Sequence, residues 1–246
     1  MGTSSSHKGI NPAAPEPNNK DKNIIEQEPV SFRGFRTCLG KFAKDLDQEH
    51  LTKAFSHYSR SGNGGSLSAF SGTISNNFAD TYKYLSQNII VSKEALEVER
   101  LFSNELDGLS LEEAAGKIIQ KVCPHAGIPE NEIVRKATYE SLSNILNRFK
   151  SITSEELLDE FFRSYFSSVV WLSIEWDSDN SLSLDNINEL VKAEQMLKDE
   201  VHAVVQTCLN EKFSHINLSS LSKIQLKSVS EKLISLILKY FENKSE

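Results

Sequence analysis

The chain has 246 residues, 39% of them hydrophobic and 25% charged, which is apolar material for one substantial core or two small ones. A net charge of −7 and a pI near 5.5 work against binding to nucleic acid or to an anionic membrane surface. Nothing approaches the run of about eighteen apolar residues that spans a bilayer, and the first residues lack the apolar core of a signal peptide.

Cys38, Cys123 and Cys208 are far apart and form no CxxC pair, a pattern that suits a reducing compartment better than a disulfide framework. The expectation is a soluble, cytoplasmic protein.

Residues 1–30 hold four of the six prolines, Pro12, Pro15, Pro17 and Pro29, together with "PNNKDKN" and few aliphatics. This composition predicts an extended or disordered tail. Fully stretched it would reach about 100 Å, and as a flexible coil about 30 Å. Residues 31–246 are expected to form a helical domain, with a subdivision near residue 105 as an option.

From Ser31 a helical period takes over. Phe32, Phe35, Leu39, Phe42 and Leu46 recur at spacings of three and four and make one apolar stripe. Asp47 is placed to cap the next helix, whose inward positions are Leu51, Ala54, Phe55 and Tyr58. "SGNGGS" interrupts, and the period resumes through Phe70, Ile74, Phe78, Tyr82 and Leu85. Ser110 with Glu113, Thr153 with Glu156, and Ser228 with Glu231 each match the capping box.

Residues 130–149 and 154–176 read as long helices. The second is predicted to be central, because Leu158, Phe161, Phe162, Tyr165, Phe166, Val169 and Leu172 keep helical spacing. Another amphipathic helix runs from Asp185 to about Phe213, and "SVSEKLISLILKYFENK" closes the chain. No run alternates as a strand would. The fold class is all-α: a multi-helix globular body behind an extended or disordered Pro-rich tail.

Few residues suggest chemistry. "SGNGGS" stands before a helix and could offer amides to an anion, but it lacks the Gly-Lys-Ser/Thr ending of a nucleotide loop and no strand precedes it. A helix connection with glycines at positive φ is the simpler reading. "DSDNSLSLDNIN" from Asp177 imitates a calcium loop, yet its sixth position is Leu182 and its twelfth Asn188, so Asp177, Asn180 and Asp185 are read as loop and cap residues. The six histidines form no HExxH motif, and Cys123 with His125 is too little for zinc. Trp171 and Trp176 are assigned to core packing. No nucleophile–base set or carboxylate pair stands out, so neither catalytic residues nor a cofactor or metal of its own is expected. Between Ser31 and Arg60 six bases face three acids, which is either a solvated helix face or a docking surface for an acidic partner.

"MGTSSS" at the start fits three readings. It matches an N-myristoylation pattern, although one acyl chain anchors only marginally without a polybasic partner. It also looks like a cloning leader, but no histidine run follows His7. Thirdly, loss of the methionine would free the Gly2 α-amine, whose pKa of about 7.7–8.0 leaves a nucleophilic fraction that lysine, at about 10.4, does not have.

Together, "MGTSSS", the Pro-rich stretch, "LGKFA" at Leu39–Ala43 and "HYSRSGNGGSLSAF" at His57–Phe70 resemble the QatB family, the B component of the bacterial Qat anti-phage defence system. The resemblance covers about the first 90 residues; beyond them the chain matches only in being helical. It implies a non-enzymatic component acting with QatC, a relative of the 7-cyano-7-deazaguanine synthases, alongside the Qat ATPase and a TatD-like nuclease. The resemblance further implies that QatC conjugates a deazaguanine to the Gly2 amine. ATP, zinc and the deazaguanine substrate would then belong to the partner enzyme. On that reading the partner clasps Gly2, Thr3, Ser4, Ser5 and Ser6, and docks against Leu39, Gly40, Lys41, Phe42, Tyr58, Gly62, Gly64, Gly65 and Ser66. No direct nucleic-acid contact and no membrane contact are expected. The alternative is a helical adaptor whose tail binds a partner without being modified.

Overall fold

The computed structural model describes residues 32–61, 64–88, 109–148, 154–182 and 186–244. All regular structure in them is helical: α1 (Arg33–Asp45), α2 (Gln48–Arg60), α3 (Gly65–Ala69), α4 (Ser71–Asn88), α5 (Leu111–Val122), α6 (Pro129–Arg148), α7 (Ser154–Ser178), α8 (Ile187–Lys212) and α9 (Lys223–Asn243). Short 3-10 turns at Asp179–Leu182 and Leu218–Ser220 follow α7 and precede α9.

The apolar stripes become the core as the periodicity predicts. Phe35, Leu39 and Phe42 of α1 are buried, as are Leu51, Ala54, Phe55 and Tyr58 of α2 and Ile74, Phe78, Tyr82 and Leu85 of α4. Phe32, Leu46 and Phe70, at the stripe ends, are half-buried against the same core. α1 and α2 pack as a hairpin on one flank, and α5 packs on α6 on the other. Between them α4 and α9 lie side by side, with α9 also touching α2 and α8.

α7 is the central helix, in contact with α1, α3, α4, α6 and α8. Its apolar series from Leu158 to Leu172 is buried throughout. Phe78 of α4 sits among its rings, with centroids 5.1 Å from Phe162 and Phe166 and 5.6 Å from Tyr165. Such offset and edge-on pairs add about 0.5–1.5 kcal/mol beyond the area they bury. A buried polar link crosses the cluster: Tyr165 Oη donates to Asn77 Oδ1 at 2.8 Å, and Asn77 Nδ2 donates to the Val122 carbonyl at 3.3 Å. It pins α4 to α7 and to the end of α5, and because Asn77 and Tyr165 are buried, each needs its partner.

The caps fall mostly where the residues indicate. Asp47 accepts from the Glu49 amide at 2.9 Å, and Ser110 and Glu113 form the reciprocal capping box. Thr153 lies outside the described residues. The Ser228–Glu231 pair is a correction. It sits inside α9, which begins two turns earlier with Ser222 as cap and Gln225 closing the box. A cap needs extended backbone at the serine, and Ser222 has it at φ −70°, ψ 164°; the S-x-x-E spacing recurs on any helix surface. The two tryptophans also divide. Trp171 is buried, whereas Trp176 is 54% exposed.

Candidate functional site

Two places gather polar side chains, and the first is the glycine loop. Gly64 and Gly65 take φ of +104° and +57°, so the chain turns into α3 through backbone that only glycine adopts without strain. The turn aims the start of α3 at the last turn of α7. There the Asp177 carboxylate, 6% exposed, accepts from the Ser66 amide at 2.8 Å, the Ser66 hydroxyl at 2.6 Å and the Tyr58 hydroxyl at 3.0 Å. The loop does offer an amide to an anion, and the anion is the protein's own.

Burial, and then the adjacent Asp177 carboxylate, push the Tyr58 phenol well above its ordinary range, so it remains a donor. A Cβ on Gly65 would lie 2.6 Å from Asp177 Oδ2 and 2.9 Å from the Phe32 ring, which closes the cluster from the α1 side. Arg36 adds a strap: its Nε donates to the Asp177 carbonyl at 2.9 Å, and its Nη1 lies 3.5 Å from Asp179.

Tyr58, Gly64, Gly65 and Ser66 therefore come together, in the interior. Leu39 and Phe42 are buried on the core side of α1, and Gly40 brings α1 close to the Asp179–Leu182 turn, where a Cβ would meet the Ser181 carbonyl at 3.2 Å. Lys41 is exposed. Gly2, Thr3, Ser4, Ser5, Ser6 and Gly62 lie outside the described residues. Asp177 is the residue that sequence reading missed. It belongs to α7, not to a loop. Its signal was the buried stripe Phe166, Val170, Ser173, which reaches Asp177 one turn later.

The second place is a cleft of about 810 Å³ between α6, α7 and α8. Its walls carry Tyr139 and Glu140 from α6, Trp171 from α7, and Lys198, Asp199 and His202 from α8. The Lys198 ammonium lies over the Trp171 ring, 4.8 Å from the centroid. Arg163 is engaged by Asp159 at 2.6 Å, Gln206 at 2.6 Å and Asn210 at 2.9 Å. Ser167 Oγ and His202 Nδ1 are 3.2 Å apart, but no carboxylate among the described residues is hydrogen-bonded to the other ring nitrogen. The pair thus lacks the group that orients a catalytic imidazole.

Among the described residues no cluster of His, Cys, Asp or Glu could hold a metal ion, and no helix is long and apolar enough to cross a membrane. Burial drives the Cys208 thiol up to about 11 and raises that of Cys123, so neither is an activated thiolate at neutral pH.

No curated protein and no solved structure matches the chain. A protein-family model described as Qat anti-phage system associated protein QatB matches residues 86–241. The match falls on α5 to α9 and includes the whole cleft, whereas the motifs that carried the resemblance all lie before it. The match spans well over half of the chain, so the protein belongs to the QatB family and is an anti-phage defence component whose partners lie within the Qat system.

Proposed function

We propose that this protein is the substrate and binding partner of a QatC-like enzyme, with the Gly2 α-amine as the group it contributes. The observation that supports this reading is family membership over residues 86–241, taken with the Gly2 of the "MGTSSS" motif. With methionine removed, the amine titrates near pH 7.7–8.0 and is partly neutral in the cell. The partner, supplying ATP, zinc and a deazaguanine, would activate the deazaguanine carboxylate. The Gly2 nitrogen then attacks the activated carbonyl; an N–C bond forms, the C–O bond to the nucleotide-derived leaving group breaks, and the amine loses one proton. The helical body acts as the handle by which the partner holds the tail. Among the described residues first assigned to docking, Lys41 is the exposed one, so contact at that end of the body would run over the outer face of α1 and not through the buried loop.

Intact mass of the protein made with and without the partner enzyme tests this reading. An added deazaguanine amide on the des-methionine terminus is the expected result, abolished when the partner's ATP site is disabled. An unmodified terminus, together with full defence from Gly2→Ala, would instead establish the adaptor reading.

A further inference from the structure

The α6–α7–α8 cleft has no part in the reading above, and it lies wholly inside the family-matched span. From Glu160 to Trp171 its floor follows twelve residues of α7, about 16 Å at the helical rise. That length takes about five residues of extended chain. Ser164, Ser167 and Ser168 on this floor, with Ser143, Asn144 and Gln206 from the flanking helices, give the cleft hydroxyls and amides beside its rings and charges. Enclosed, mostly apolar cavities suit small molecules. An open trough with donors and acceptors on its walls suits a peptide backbone.

The charges are asymmetric. Arg163 is held by Asp159, and Lys198 sits on the Trp171 ring, so both cations of the cleft are engaged within the fold. Glu140 and Asp199 make no ion pair among the described residues; Asp199 accepts only from Gln195. The ring face of Trp171 is already a cation site, filled by an exposed lysine from the same protein. An arriving guanidinium or ammonium can take that face, with Asp199 and Glu140 on the walls of the same cleft, while Lys198 moves out to water.

We infer that this cleft binds an extended, basic segment of a partner protein, with an arginine or lysine of that segment on Trp171 between Glu140 and Asp199. The inference does not depend on the fate of Gly2.

The test uses the full chain carrying Trp176→Phe, so that Trp171 is the one tryptophan and can be excited apart from the tyrosines. The probes are two eight-residue Ala/Ser peptides, one with a central Arg-Gly-Lys and the other with Glu-Gly-Glu. A saturable change in Trp171 emission with the basic peptide alone is expected. Asp199→Asn with Glu140→Gln should weaken it by about fivefold, the size of two exposed charge contacts. Lys198→Met should tighten it by about threefold, because it removes the competing cation. That variant separates the two charge signs, since an anionic ligand would lose affinity from it. No saturable change, equal binding of the acidic peptide, or weaker binding by Lys198→Met would overturn the inference. Stronger binding of a single-stranded oligonucleotide, or of a peptide copying residues 2–12, would also overturn it and give the cleft to that ligand.

Discussion

Replacing Asp177 tests the account of the glycine loop most directly. In Asp177→Ala the Ser66 amide, the Ser66 hydroxyl and the Tyr58 hydroxyl lose the carboxylate they share. A buried donor left without an acceptor costs about 1–3 kcal/mol. The three share one small space that can relax, so the total should fall at the low end of three such losses, about 3–5 kcal/mol. Asp177→Asn is the informative comparison. Its amide oxygen can replace Oδ2, which accepts from both Tyr58 and the Ser66 amide, and its NH2 can donate to the Ser66 hydroxyl once that rotates. Only the charge is lost, for about 1 kcal/mol. Urea unfolding followed by far-UV circular dichroism reads the difference. With an m-value of about 2–3 kcal/mol/M, alanine should lower the midpoint by about 1.5 M and asparagine by less than about 0.5 M. An alanine variant within about 0.5 M of the parent, or an asparagine variant as damaged as alanine, would refute the view that this carboxylate locks α3 to α7.

Two further predictions concern caps and alkaline stability. Ser222→Ala should cost about 1 kcal/mol by removing the α9 cap, while Ser228→Ala should change stability by less than about 0.5 kcal/mol; urea midpoints decide, and the reverse order would restore the later start of α9. Burial raises the Tyr58 and Tyr165 phenols well above their ordinary range and lifts Cys208 to about 11. Between about pH 9 and 11 the unfolded chain therefore binds fewer protons than the folded one, and stability must fall as pH rises. A Tm that is flat to about pH 8.5 and declines beyond it is expected; a Tm that climbs over that interval contradicts the burial of these groups.

Periodicity alone determined the helices, since a stripe such as Phe35, Leu39, Phe42 can be buried only by helical winding, whatever it packs against. Local chemistry likewise determined the caps at Asp47 and Ser110, because donor and acceptor are two or three residues apart. Ser222 was legible in the same way, through Gln225, but the competing S-x-x-E at Ser228 drew the boundary too late. What the residues could not reveal is which stripes face one another. Asp177 meets Ser66 across 111 positions of sequence, and nothing near either residue announces the other. The glycine loop was legible as a turn, but its anion was not. The same applies to the cleft, whose walls come from three helices and whose Trp171–Lys198 contact exists only once α7 lies against α8. Spacing along one helix is set by the backbone, which every residue carries; contact between helices is set by how whole surfaces fit, and only the assembled fold decides that.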